Sequence, residues 1–183
     1  PVEAFRPALF TDLQRDLTLL REIQALWADV EEDPKLDQFV SELRHDPLLK
    51  GQRVIVFTES AETGEYLARQ LDARGLHKVL FYASNRRWHP GGSLSKAHAQ
   101  NLIEANFNPD YHEQEDTVRI LISTDVLAEG VNLHRSNIVI NYDLPWNPTR
   151  VLQRVGRVNR VGTEHKFIYI FNFFPTAQAD EHL

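Results

Sequence analysis

The sequence contains no cysteine and no methionine. Without cysteine, the chain has neither a disulfide framework nor a thiolate metal site. No apolar run approaches the roughly 18 residues that a membrane-spanning helix needs, and no signal peptide is visible. We therefore expect a cytoplasmic protein without a membrane partner. Because the chain begins at Pro1 and lacks methionine, we also expect it to be an internal piece of a longer protein.

Hydrophobic residues make up 42% of the chain and charged residues 25%, which excludes a disordered or fibrous protein. The net charge of −6 is unevenly distributed. Residues 1–50 carry 6 Lys/Arg against 11 Asp/Glu, whereas residues 144–166 carry five cations against Glu164 alone. This basic cluster is typical of a surface that faces a polyanion, and it is equally typical of a solvated helix face.

The first 50 residues show two helical patterns and no chemical motif. Apolar residues recur at helical spacing over 11–30 and again over 36–43, and Asp46-Pro47 ends the second pattern. We interpret residues 1–50 as a helical extension that packs onto another part of the protein, and residues 51–183 as a separate domain.

From residue 51 onward, short β-branched runs alternate with helical stretches. The runs lie at 54–57, 79–82, 118–122, 138–140 and 167–171, and the helical stretches at about 60–74, 94–107 and 148–157. Continuous apolar runs are what parallel strands covered on both faces require. The pattern predicts an α/β fold with a doubly wound, mainly parallel sheet and helices on both faces. Ligands in such folds bind beyond the carboxyl ends of the strands.

The strongest local signal is the run from Gln153 to Arg160. At about 100° per residue, a helix places Arg150, Arg157 and Arg160 within an arc of roughly 80° that also contains Gln153. Arginine suits a polyphosphate because its rigid fork of donors matches phosphate oxygens. Two guanidinium groups one turn apart are able to hold a γ-phosphate and stabilise its developing charge. An exposed basic face, or salt bridges to the acidic first 50 residues, explains the same spacing.

Three ordered motifs give this domain a family resemblance. Gln153-x-x-Gly156-Arg157-x-x-Arg160 resembles motif VI of superfamily-two helicases and translocases. The stretch from Ser123 to Leu133 resembles their motif V, and 54–58 resembles motif IV. The segment 141–148 is most similar to the Swi/Snf-like ATPases, especially the bacterial RNA-polymerase-associated member and related bacterial helicases. The resemblance covers about 51–175 and implies the C-terminal RecA-like lobe of such a motor.

The resemblance also implies roles for individual residues. ATP would bind between this lobe and an N-terminal RecA-like lobe of the same chain, with Mg²⁺ held by that other lobe. Arg157 and Arg160 would be arginine fingers, with Gln153 beside them. Gly130, Asn132 and Asp125 would contact the nucleotide, and Thr58, Ser84, Asn85 and Thr124 the backbone of DNA or RNA. Glu129 stands where many family members have arginine, so a pairing with an arginine of motif VI is expected there instead.

The sequence lacks a Gly-x-x-x-x-Gly-Lys-Ser/Thr phosphate loop and an acidic metal-binding box. We therefore expect this chain alone not to hydrolyse ATP. A non-catalytic RecA-like module that regulates or binds another protein is the main alternative. A Rossmann-type enzyme that binds a nucleotide or sugar phosphate is a weak third possibility, because the sequence has no Gly-x-Gly-x-x-Gly motif. The histidines show no paired spacing that would indicate a metal site. No Gly-x-Ser-x-Gly elbow is present, so a hydrolase triad has no support.

Overall fold

The computed structural model describes residues 7–28, 32–128, 131–159, 163 and 165–174. The chain divides into two compact units, Pro1–Phe39 and Val40–Leu183. Among the described helices, none is long and apolar enough to cross a membrane. Nor do the described residues include a group of three or more histidine or acidic side chains placed to hold a metal ion. The domain boundary at residue 50 stays a prediction.

The chain begins with two helices, α1 (Pro7–Ala28) and α2 (Pro34–His45). The first turn of α2 is capped by Asp33, whose Oδ1 accepts the backbone N–H of Leu36 at 2.9 Å. Proline at the start of each helix costs no hydrogen bond, because the first N–H groups have no partner within the helix. Eight large apolar residues of α1 are at least 47% exposed, and Leu9 is half-buried. The eight are Phe10, Leu13, Leu17, Leu19, Leu20, Ile23, Leu26 and Trp27.

The second unit is built on a seven-stranded sheet with the order β4-β3-β2-β5-β1-β6-β7. The strands are β1 (Val54–Phe57), β2 (Val79–Tyr82), β3 (Arg87–His89), β4 (Gly92–Ser93), β5 (Ile120–Ser123), β6 (Ile138–Asn141) and β7 (Tyr169–Asn172). Strands β2, β5, β1, β6 and β7 run parallel. Every residue of β1, β2, β5 and β6 is buried, as continuous apolar runs predict. The predicted α/β fold is therefore confirmed.

Helices cover both faces of this sheet. The unit contains α3 (Ala61–Ala73), α4 (Lys96–Phe107) and α5 (Pro148–Val155). Ile103 of α4 packs in one apolar cluster with Phe57 and Leu80. Phe81 follows Leu80 and so points to the opposite face, where its ring lies against Gly64 of α3. A Cβ on Gly64 would lie 2.4 Å from Phe81 Cε2, so this close approach requires glycine.

An antiparallel hairpin follows β2 in the chain. Strand β3 pairs with β2 and β4 pairs with β3, which extends the sheet at one edge. Gly92 has a φ of +114°, a conformation that favours glycine. Trp88 of β3 is only 7% exposed, and the guanidinium of Arg69 lies 5.2 Å from its ring centroid. Trp88 is therefore a packing residue.

A cluster of ionic contacts joins the amino ends of β1, β2 and β5. Asp116 lies 2.9 Å from Arg53, 2.7 Å from Lys78 and 2.6 Å from Arg119. Hydrogen bonds from Arg119 and Lys78 hold the pKa of the Asp116 carboxyl well below its usual range.

The N–H groups of Arg119 and Ile120 both donate to Lys78 O, at 2.8 and 2.9 Å. Regular pairing of β5 therefore starts at Ile120, two residues later than the apolar run predicts.

Candidate functional site

The strand order reverses beside β1, since the chain turns to one side of it for β2 and β5 and to the other for β6 and β7. Such a switch point leaves a crevice at the carboxyl ends of the strands. Glu59, Asp125 and Asp143 follow β1, β5 and β6 at this edge. The crevice is where α5 brings its arginines.

Local sequence determines where helix α5 begins. The Asn147 side chain accepts the N–H of Thr149 at 2.9 Å, and Pro148 occupies the first turn. The helix ends at Val155, yet Asn159 N still donates to Val155 O at 2.9 Å. Beyond Val155 the chain continues in tight turns, in which Arg157 N donates to Arg154 O at 3.3 Å and Val158 N to Val155 O at 2.9 Å. The angular arrangement predicted for Gln153 and Arg157 depends on this continuation.

Arg154 is the centre of the site and is 1% exposed. Its Nε donates to Asp125 Oδ1 at 2.7 Å, and one terminal nitrogen donates to Glu59 Oε1 at 3.0 Å. The other terminal nitrogen donates to Asn141 Oδ1 at 2.9 Å and to Asp143 O at 3.1 Å. These partners follow or end β5, β1 and β6, so one guanidinium joins α5 to three strands.

The buried charge of Arg154 is well compensated. A buried cation is tolerated only when it is paired and when its donors are satisfied. Two carboxylates, a buried amide oxygen and a backbone carbonyl meet that need, and the guanidinium carbon lies 5.1 Å from the Phe57 ring centroid. Arg154 therefore anchors α5 and is not oriented toward solvent.

Arg150, one turn earlier on α5, has a looser environment. One of its terminal nitrogens lies 3.3 Å from Glu59 Oε2 and 3.6 Å from Asp125 Oδ2. Its side chain is 52% exposed. The same two carboxylates therefore serve a buried arginine and an exposed one.

A cavity of about 240 Å³ opens beside these arginines. Its lining consists of Asp125, Arg150, Gln153, Arg154 and Arg157; we name this cavity the arginine pocket. Three arginines and one amide share this lining with a single carboxylate, so the lining favours an anion. Planar guanidinium forks match the oxygens of phosphate groups and stay charged at any physiological pH.

The structure brings together three of the residues predicted to act on a nucleotide: Gln153, Arg157 and Asp125 line the same pocket. Gln153 is exposed, while Arg157 and Asp125 are half-buried. Asn132 is half-buried and has a partner of its own. Arg160, Gly130 and Glu129 lie outside the described residues.

The residues predicted to contact nucleic acid follow three adjacent strands, β2, β5 and β1. Ser84 and Asn85 are exposed after β2, and Thr124 is half-buried after β5. Thr58 is fully buried, and its Oγ1 donates to Ser60 O at 2.7 Å. The Ser60 hydroxyl in turn caps α3 by accepting the N–H of Thr63. Thr58 thus shapes the turn that follows β1.

Sequence reasoning missed Arg154 and Glu59. Arg154 falls outside the arc shared by the other arginines, and the motif pattern assigns it no role. The signal was nevertheless present, since Val151 lies three residues before it and Val158 four residues after it, a spacing that marks one helical face. Glu59 carried no comparable signal, because its partners are 91 and 95 residues away in sequence.

Known proteins share this fold and sequence pattern. An uncharacterized ATP-dependent helicase of Bacillus subtilis, YqhH, is 34% identical over 131 residues, which are 72% of this chain and 20% of that protein. The C-terminal part of the Fun30 ATPase domain matches with a TM-score of 0.63 and 23% identity, over 82% of this chain and 44% of that one. Dbp5 of S. cerevisiae, in a structure bound to RNA and ADP BeF3, matches with a TM-score of 0.57 and 24% identity, over 80% and 34%.

The chain spans about a fifth of the length of the Bacillus relative. The model of the helicase conserved C-terminal domain matches residues 35–162, a range that includes β1 to β6, α5 and the residues that line the arginine pocket. The resemblance to C-terminal lobes of superfamily-two helicases is thereby confirmed, and the chain belongs to the helicase conserved C-terminal domain family.

Proposed function

We propose that this chain is the second motor lobe of an ATP-dependent helicase or translocase that moves on DNA or RNA. The observation that supports it most is the arginine pocket, which unites Gln153 and Arg157 at the switch point of the sheet. The family membership and the helicase relatives agree with this role. A regulatory module without catalysis has no need for a cationic pocket at that position.

In the proposed reaction, Arg157 and Arg160 approach the γ-phosphate of ATP bound between this lobe and an N-terminal RecA-like lobe. Their charges would stabilise the negative charge that develops on the phosphoryl oxygens during transfer. Gln153 would lie beside them. The Asp125 carboxylate is engaged by Arg154 at 2.7 Å, so we propose that it acts on the nucleotide mainly through the arginines that it holds. Gly130 and Asn132 would approach the ribose.

ATP would need Mg²⁺ to neutralise charge between its phosphates. No phosphate-loop motif and no acidic metal-binding motif occur in the sequence. We therefore place the Mg²⁺ ligands and the phosphate-loop lysine in the N-terminal lobe, which makes that lobe the principal partner. We propose a cytoplasmic location for the protein.

The nucleic-acid path would run along the carboxyl ends of β2, β5 and β1. Ser84 and Asn85 are exposed there, and with Thr124 they present hydroxyl and amide groups suited to phosphate oxygens. Thr58 is buried, so we propose that it contributes by holding the turn at Ser60 rather than by reaching a phosphate through its hydroxyl. Contacts of this kind fix position and carry little base specificity.

The test is ATP hydrolysis by the full-length protein, measured without nucleic acid and with single-stranded DNA, duplex DNA or RNA. Nucleic acid should stimulate turnover, and Arg157→Ala should lower kcat by at least about a hundredfold, since loss of one transition-state donor costs that much. Arg69→Gln is the matched control, because Arg69 is an exposed arginine on α3 in an ion pair with Glu65. If the rate without nucleic acid equals the rate with each of the three nucleic acids, or if Arg157→Ala keeps full turnover, the non-catalytic module is the better explanation.

A further inference from the structure

The arginine pocket contains one cation whose position is only loosely fixed. Arg150 lies on α5, and Arg157 follows two residues after the helix ends. Both line the pocket together with Gln153. No motif assigns a role to Arg150.

The contacts of Arg150 differ from those of Arg154 in length and exposure. Arg154 is buried and lies 2.7 and 3.0 Å from its two carboxylates. Arg150 lies 3.3 and 3.6 Å from the same carboxylates, and half of its side chain is exposed. Ion pairs of the second kind contribute little free energy, because water screens them and the side chain keeps its freedom. Arg150 is therefore able to exchange partners at low cost.

The balance of charge also favours an exchange. Asp125 and Glu59 are already satisfied by the shorter bonds from Arg154. When Arg150 leaves, each carboxylate keeps its buried partner and remains about 40% exposed to water. A polyphosphate in the pocket offers Arg150 several oxygens with more negative charge than either carboxylate carries.

We propose that Arg150 is a phosphate-binding residue of the arginine pocket, which pairs with Glu59 and Asp125 in the free protein and transfers to the polyphosphate when a nucleotide binds. The inference rests on the proposed function and adds to it a binding residue outside the motif. It also assigns a role to Glu59, which competes with the ligand for Arg150 while helping Arg154 to anchor α5. The transfer involves no covalent change.

Inorganic tripolyphosphate is the probe, titrated calorimetrically into the 183-residue chain at low ionic strength. Arg150→Gln should weaken binding by about five- to tenfold, as expected for one charge-assisted contact offset by the ion pairs already present. Arg150→Lys should recover part of the affinity. Arg69→Gln, the matched loss of an exposed arginine, should leave it unchanged. Melting curves for each variant establish that the fold is intact.

The variant Glu59→Gln distinguishes exchange from a simple loss of charge. Its amide still accepts from Arg154 but no longer attracts Arg150, so tripolyphosphate should bind a few-fold more tightly. In the double variant Glu59→Gln/Arg150→Gln this gain should disappear, because the released residue is absent. An equal gain with and without Arg150 would mean that Glu59 acts only through general charge, and the inference would be wrong.

The remaining outcomes separate this inference from the proposed function. If Arg157→Gln abolishes binding while Arg150→Gln binds like the wild type, the pocket is a phosphate site and the role of Arg150 is refuted. If the wild-type chain does not bind tripolyphosphate at all, the inference is refuted as well. The proposed function is then judged separately by hydrolysis with the full-length protein and Arg157→Ala.

Discussion

Replacement of Arg154 by methionine tests whether this side chain anchors the site. Methionine keeps much of the volume and flexibility of arginine and removes the guanidinium. The change leaves Asn141 Oδ1 without its donor, and Asn141 is fully buried. Asp125 and Glu59 also lose a partner, but at 40% and 42% exposure they regain water.

The expected cost follows from these contacts. A buried acceptor left without a donor costs about 1–3 kcal/mol. The hydrogen bonds to the two carboxylates are charge-assisted, but their loss costs less than their full free energy because water replaces the guanidinium. The methionine variant offsets part of this loss in the free energy of unfolding, because it no longer buries a charge. We expect Arg154→Met to lower the free energy of unfolding by about 2–4 kcal/mol, or the Tm by about 4–16 °C for a chain of this size.

Urea and thermal unfolding followed by circular dichroism measure the effect, with Arg150→Gln as the matched control on the same helix. Arg150→Gln should cost less than about 1 kcal/mol, because its ion pairs are exposed. Arg154→Lys keeps the charge but loses the fork, so its stability should lie between the two. If Arg154→Met is no less stable than Arg150→Gln, Arg154 does not anchor α5 and the explanation fails.

Four further predictions concern other parts of the chain. The chain alone should show no ATP turnover above a blank; turnover that disappears in Arg157→Ala would contradict this. In the full-length protein, Arg160→Ala should abolish hydrolysis with an unchanged Tm, and wild-type turnover would refute the finger assignment. The lowered pKa of Asp116 stabilises the fold at pH values above the unfolded pKa near 3.9, and this stabilisation is lost as the pH falls below it. Asp116→Asn should remove this pH dependence and lower the free energy of unfolding at pH 7 by about 1 kcal/mol or less. An unchanged acid transition would exclude the role of Asp116. Gly64→Ala should cost about 1–3 kcal/mol in urea unfolding through overpacking against Phe81, and a neutral effect would show that the ring moves aside.

The sheet is predictable from sequence because its central strands are buried on both faces. Four continuous apolar runs leave few alternatives, and the structure buries every residue of those strands. The hairpin beside β2 is not predictable in this way. Its strands have three residues and two residues, and Arg87 and His89 give it a basic, loop-like composition. Its pairing depends on the edge of β2, which is a tertiary feature.

The site is predictable only in part, for a related reason. Helical spacing places Gln153 and Arg157 on one face, and the structure brings both into the arginine pocket although α5 ends at Val155. The partners of Arg154 come from three strands whose order is not encoded by local periodicity. Only the sheet order shows that Glu59 and Asp125 lie on either side of the same guanidinium.

The arginines of α5 and of the turn after it therefore differ in burial and in their partners, although their side chains are identical. Arg154 lies on the buried face of α5, so its charge is directed inward and must be satisfied by protein groups. Such a side chain needs the full fork, because its donors are directed to separate acceptors. Arg150 on α5 and Arg157 in the turn after it line the pocket, where there is room for a ligand. Because Arg154 holds α5 rigidly, Arg150 is able to exchange partners without displacing the helix. A phosphate contact is useful only when the group that makes it is held in place.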